Sequence, residues 1–163
     1  MITSKKLTIG RIAIQTSGGF ITRLWLPCEA PDAPEPQPHT LPHTCFLQLE
    51  EWLLGNRRYF NLPIKLPQGT PFQAQTLQRI AAIPYGCTTT YGSLGAARAV
   101  GNICATNPLP ILIPCHRVIS AHHPPGNYRG GSTLKAHLLK LEFNTQIQHP
   151  EHLRLYLTGD TVV

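Results

Sequence analysis

The amino-acid sequence predicts an α+β protein. Two alternating apolar stretches near the start flank Ser17-Gly18-Gly19 and read as a β-hairpin. Three later windows carry apolar residues at helical spacing, each opened by Thr or Ser. A short β-branched run, Ile111 to Ile113, reads as a buried strand that Pro114 stops.

In the hairpin, Leu7 to Ile14 forms one arm and Phe20 to Leu26 the other. Six prolines between Pro27 and Pro42 predict an extended, mobile loop. His39, His43, Cys28 and Cys45 lie in or beside it, but their spacing fits no compact ligand pattern, so no metal site is expected. Thr44 is the expected N-cap of a helix from Cys45 to Leu54, with Gly55 as its stop and Phe46, Leu49, Leu53 and Leu54 as its buried stripe. Asn61 to Leu66 returns extended and ends at Pro67.

Thr70-Pro71 starts the next helix, which runs to about Ala82 with Phe72, Leu77, Ile80 and Ala81 inward. Thr88 to Tyr91 is a short extended piece before a helix over about Ala96 to Cys104, which Asn107-Pro108 ends. A polar loop follows Val118, then the glycine-rich Gly126 to Gly131, where backbone can approach a flat ligand. Ser132 caps a helix to about Phe143 whose core face is Leu134, Leu138 and Leu141, with Glu142 near its end. Alternating Leu153, Leu155 and Leu157 predict an added strand.

The 163 residues allow one domain or two small ones sharing an interface. No apolar run spans a bilayer, and the N-terminus lacks the apolar core and cleavage site of a signal peptide. The five cysteines form no C-x-x-C pair and are odd in number. That points to a reducing compartment, cytoplasmic (or nuclear in a eukaryote), and away from a disulfide framework. A net charge of +6, from 14 Lys and Arg against 8 acidic residues, favours a polyanionic partner.

The chemistry concentrates in Pro114-Cys115-His116-Arg117-Val118. A thiol reacts as the thiolate, and only about 3% is ionised at pH 7 without help. A neighbouring His with a carboxylate behind it supplies that help.

This block closely resembles the active-site motif of the alkylguanine-DNA alkyltransferases, which repair guanine alkylated at oxygen 6. The resemblance runs from Gly69 to Glu142 through G-T-P-F-Q (69–73), I-P-Y-G (83–86), T-Y-G (90–92), A-A-R-A-V-G-N (96–102), N-P-L-P-I-L-I-P-C-H-R-V (107–118), G-N-Y-R-G-G (126–131) and K-A-H-L-L-K-L-E (135–142). It implies a small ribonuclease-H-like α/β support domain over 1–67 and a winged-helix-like catalytic domain over 68–148, leaving 149–163 as a tail. It implies single-turnover alkyl transfer to Cys115 from oxygen 6 of guanine, with oxygen 4 of thymine as a further candidate. No cofactor is expected; the partner is double-stranded DNA containing alkylated guanine, bound by a monomer.

By the same resemblance, His116 deprotonates Cys115 through a bridging water, Glu142 orients His116, and Asn107 ties the recognition helix to the catalytic segment. Tyr91, Val118, Tyr128, Arg129 and Lys135 line the base pocket. Arg98 fills the stack vacated by a flipped nucleotide, Tyr91 and Gly92 meet the adjacent backbone, and Gly101 and Ala105 let the helix enter the minor groove. The chain departs from the family between Gly92 and Arg98, where roughly seven residues, about two helical turns, are absent. The helix-turn-helix is therefore shortened, and Leu94 is the one residue left to cover the apolar side of the recognition helix. The rest of the fold must cover that surface or leave it to solvent, and weakened DNA engagement is expected. Two other classes share these residues: a damage-binding protein without transfer, and a cysteine hydrolase. Cys115 speaks against the first, and the DNA-contact blocks against the second.

Overall fold

The computed structural model describes residues 1–148, so the strand expected around Leu153 to Leu157 lies outside the described residues. The fold is mixed α and β. Strands β1 (Ile2–Leu7), β2 (Gly10–Ser17) and β3 (Phe20–Trp25) form an antiparallel sheet in that order. Gly18 and Gly19 both take positive φ, 57° and 79°, which suits the two-residue turn between β2 and β3. The expected first arm, Leu7 to Ile14, is two elements: Leu7 ends β1 and pairs with Gly10 across a tight turn. Strand β1 escapes the apolar pattern because Thr3 and Ser4 are buried polar residues. Ser4 instead binds the proline-rich segment, through its N–H to Pro34 O at 3.1 Å and its hydroxyl to Ala33 O at 2.7 Å. That loop, expected to be mobile, is thus fastened along the edge of β1.

Helix α1 (Leu41–Leu53) begins four residues earlier than predicted, after Thr40 rather than Thr44, because Pro42 suits a first turn. Phe46, Leu49 and Leu53 are buried as expected, whereas Leu54 lies past the last turn and is 70% exposed. In helix α2 (Pro71–Ala81) the Thr70 hydroxyl accepts the Gln73 N–H at 3.1 Å, the N-cap the sequence predicts. Leu77 and Ile80 are buried, but Phe72 and Ala81 are exposed.

Strand β4 (Thr89–Thr90) leads into a one-turn helix α3 (Tyr91–Leu94) and then α4 (Ala97–Ala105). The rest of the fold covers the apolar side of α4: Leu94, Val100 and Ile103 are all buried.

The Ile111–Ile113 run is not a strand. Pro108, Pro110 and Pro114 deny it the N–H groups of a ladder, and it folds as buried turns instead. Ile113 N–H bonds Leu109 O at 2.8 Å, and Ile111 takes a left-handed backbone, φ 74°. Such a conformation in a β-branched residue costs of order 1–3 kcal/mol and persists only where packing over-determines it; Ile111 is 2% exposed. Cys115–Arg117 form a single 3-10 turn before β5 (Val118–Ile119), which pairs in parallel with β4. Helix α5 (Ser132–Gln148) buries Lys135, Leu138 and Glu142, with Leu134 and Leu141 half-buried. One continuous apolar core joins Phe46 and Trp52 to Ile80, Cys115 and Leu138. The Leu24 N–H reaches Pro108 O at 2.8 Å, so the sheet also holds the segment that leads to Cys115 directly.

Candidate active site

Cys115 is 1% exposed at the start of its 3-10 turn. Asn107 fixes it: the Asn107 amide donates to Sγ at 3.2 Å and to Ile113 O at 2.9 Å, while its Oδ1 accepts the Leu109 N–H at 3.0 Å. Burial pushes the thiol pKa up, and the Asn107 hydrogen bond, Lys135 and Arg129 offset this only in part. The resting group is therefore the thiol, and reaction requires a base.

His116, fully buried, is that neighbour. Its Nε2 lies 2.9 Å from Glu142 Oε1. An ionised carboxylate only accepts, so Nε2 carries the hydrogen and Nδ1 keeps a lone pair. Nδ1 is buried with no partner among the described residues. Burial lowers the His116 pKa, more than the Glu142 hydrogen bond and charge raise it, so the imidazole is neutral at pH 7 and able to take a proton.

Burial alone pushes Glu142 up, but the hydrogen bonds and charges of His116 and Arg117 outweigh it and hold the carboxyl at about 2. Arg117 is the main ion-pair partner of that carboxylate. Its Nε reaches both carboxylate oxygens at 3.2 and 3.0 Å, Nη2 reaches Oε1 at 2.8 Å, and Nη1 binds Ile83 O at 2.6 Å. The Gly86 N–H adds a bond to Oε2 at 2.9 Å.

Two members of this assembly escaped the sequence reading. Arg117 had a signal, its place directly after His116 in the motif. Trp52 had none: it comes from α1, fully buried, and packs nearly edge-on to the His116 ring with centroids 5.7 Å apart.

Cys115 opens onto a cavity of about 650 Å³ between α4 and the glycine-rich loop. Of the expected residues, Tyr91, Arg98, Gly101, Ala105, Tyr128 and Arg129 line it. Val118 and Lys135 are not in its wall but behind it: Lys135 Nζ donates to Val118 O, to the Tyr91 hydroxyl at 3.2 Å and to Asn127 O at 3.2 Å. Gly92 is exposed on α3, away from the lining. The Tyr128 hydroxyl is buried without a hydrogen-bond partner among the described residues. Arg129 is held by both oxygens of Glu29 at 2.9 Å. Cys104 also faces the cavity from α4; burial first, then Cys115, push its thiol up to about 12, so it is a neutral wall.

Residues 71–144 match the family model described as 6-O-methylguanine DNA methyltransferase, DNA binding domain. A methylated-DNA-protein-cysteine methyltransferase of Haemophilus influenzae is 36% identical over 147 residues, 82% of this chain and 81% of that protein. A crystal structure of Mycobacterium tuberculosis OGT in complex with DNA superimposes with a TM-score of 0.78 at 32% identity, covering 88% of this chain and 93% of that one. The chain belongs to the methylated-DNA-protein-cysteine methyltransferase family. The constitutive Bacillus subtilis member is 42% identical over 103 residues, where the alignment spans 62% of the relative's length. The matched methyltransferase domain contains every candidate residue from Tyr91 to Glu142 and leaves Trp52 outside. No helix among the described residues is long and apolar enough to cross a membrane.

Proposed function

We propose that the protein repairs DNA directly, moving a methyl or other alkyl group from oxygen 6 of guanine to Cys115 once per molecule. The observation that carries this reading is the Asn107–Cys115 and His116–Glu142 pairing at the floor of a cavity walled by α4. The Cys115 proton passes to the free Nδ1 of His116, relayed by water, and Glu142 with its Arg117 partner stabilises the imidazolium formed. Base assistance of this kind is typically worth ~10²–10⁴-fold. The thiolate attacks the alkyl carbon, the carbon–oxygen bond breaks, and the proton ends on the departing guanine. The thioether formed is stable, because a thiolate is a poor leaving group from an alkyl carbon, so the reaction is stoichiometric.

A base within a duplex cannot reach a thiol this buried, so the nucleotide is flipped into the cavity at a cost of a few kcal/mol. Arg98, exposed at the cavity mouth, fills the gap, while Tyr91, Tyr128 and Arg129 receive the base. Lys135 and Val118 act as the support of that wall. Gly92 meets the backbone, and Gly101 and Ala105 give α4 a small-residue face for the minor groove. In this reading residues 1–67 are a ribonuclease-H-like support domain and 68–148 a winged-helix-like catalytic domain, and the protein works as a cytoplasmic (or nuclear) monomer on double-stranded DNA.

The test is intact-mass measurement after incubation with a duplex containing methylated guanine. One methyl per chain is expected, on Cys115, with none in Cys115→Ala. Turnover beyond one equivalent, or modification at Cys87 or Cys104 instead, overturns the proposal.

A further inference from the structure

Helix α4 supplies one wall of the cavity, and its two ends are held by different means. At the C-terminal end, the Asn107 N–H bonds Cys104 O at 3.3 Å, so the residue that fixes Cys115 also fixes this end. The N-terminal end, which carries Arg98, rests on α3, and α3 has only four residues. One turn of helix does not repay its own nucleation, and its last carbonyls have no partners within it.

Those carbonyls are satisfied from outside. Arg79, in the last turn of α2, donates through Nη1 to Leu94 O at 2.6 Å and through Nη2 to Ser93 O at 3.0 Å. A guanidinium presents two donors in a fixed fork, which suits two successive carbonyls; an ammonium does not. The chain then reverses at Gly95, φ 153° and ψ −153°, a region essentially closed to residues with a Cβ. Phe72 roofs this turn: its ring lies 3.5 Å from where a Gly95 Cβ would stand, and Val100 of α4 lies at the same distance.

We propose that Arg79 is a positioning residue for α4, and that with Phe72 and Gly95 it forms a brace doing for α3 what further helical turns would do. The brace sets the Arg98 end of α4 for duplex DNA, while the Cys115 end stands without it. This rests on the reading of α4 as the DNA-facing helix.

The experiment compares wild type, Arg79→Met and Arg79→Lys with two substrates: a duplex containing methylated guanine and free benzylated guanine. Arg79 is exposed, so both variants are expected to fold, which thermal melts verify. Both variants should lose about tenfold or more in the second-order duplex rate, since a misplacement of about 1 Å far from the chemistry can cost up to ~10²-fold. Their free-base rates should stay within about twofold of wild type. A Lys variant as fast as wild type on duplex means that charge alone matters, and overturns the brace. Equal loss on both substrates, or loss on neither, also overturns it. Should wild type bind duplex without transferring an alkyl group, the proposed function falls separately, and duplex affinities of the three proteins decide the brace: weaker binding by both variants supports it, equal binding overturns it.

Discussion

The buried relay around Glu142 and the exposed turn at α3 hold their side chains in opposite ways. Glu142 is fully buried and receives hydrogen bonds from His116, Arg117 and the Gly86 backbone. Helix α3 keeps its place through an arginine fork, a threonine cap, a glycine turn, the buried Leu94 and single hydrogen bonds at the Tyr91 hydroxyl. The difference comes from solvent. A charge in the interior must be matched at every lone pair or it destabilises the fold, so burial forces redundancy. A surface turn has water as an alternative partner, so it can be reduced to the few contacts that set its direction.

The comparison breaks hardest at the carboxylate. Glu142→Gln leaves the Arg117 guanidinium buried without its counter-charge, and a loss of about 3–5 kcal/mol in denaturant unfolding is expected. Transfer to Cys115 should slow by ~10² or more, because the imidazolium loses its stabiliser. Acid gives the same contrast. The folded carboxyl sits at about 2 against an ordinary 4.5, so its stabilisation is present above about 4.5 and is lost as the pH falls towards 2. That shift corresponds to about 3 kcal/mol. The gap in stability between wild type and Glu142→Gln should therefore close across that window; a gap unchanged at pH 2 shows that the variant acts through packing.

A smaller effect is expected at Trp52, where the relay meets the first part of the chain. Trp52→Leu removes the aromatic wall beside His116 and admits water, which moves the imidazole pKa up towards its ordinary value. The low-pH limb of the transfer rate should then move to higher pH, with a loss of about tenfold below neutrality, while Trp52→Phe keeps a flat ring and most of the rate. Identical pH–rate profiles for all three proteins make Trp52 plain core. The smallest change is on the surface. Lys5 pairs with Glu50 at 2.7 Å, both partly exposed, and Lys5→Ala should alter stability by less than about 1 kcal/mol in urea titration.

Legibility in the sequence divides along the same line. Local patterns were legible: Thr70-Pro71 starts its helix, Gly18-Gly19 turns its hairpin, and the Cys115 motif marks where a buried thiol and the His of a buried His–Glu pair are chain neighbours. Signals that depend on packing were not. The Ile111–Ile113 run has the composition of a strand, yet three prolines around it remove the ladder and burial through turns wins. Strand β1 was hidden because Ser4 and Thr3 are inward, and Ser4 is satisfied by groups far along the chain. Phe72 has the spacing of a core residue yet is 43% exposed, with its ring against the turn at Gly95. Trp52 sits in a helix with an apolar stripe and lies against His116, a contact that no local pattern encodes. Among the candidate site residues, the cavity gathers those from both α4 and the glycine-rich loop, while Lys135 and Val118 stand one layer behind, a distinction of depth that residue order does not carry.

The separation of His116 from Glu142, 26 residues along the chain, matters for the time before the protein is complete. During synthesis Cys115, His116 and Arg117 emerge before the carboxylate that organises them, and domains form largely as units once their parts are available. Until α5 docks, the imidazole lacks the carboxylate that fixes its tautomer and Arg117 lacks its counter-charge. The thiol of a nascent chain is then no more reactive than any other cysteine. Under the proposed single-turnover function a premature reaction would spend the protein, and Glu142 follows every residue that lines the cavity, so the relay is completed only after those residues have emerged.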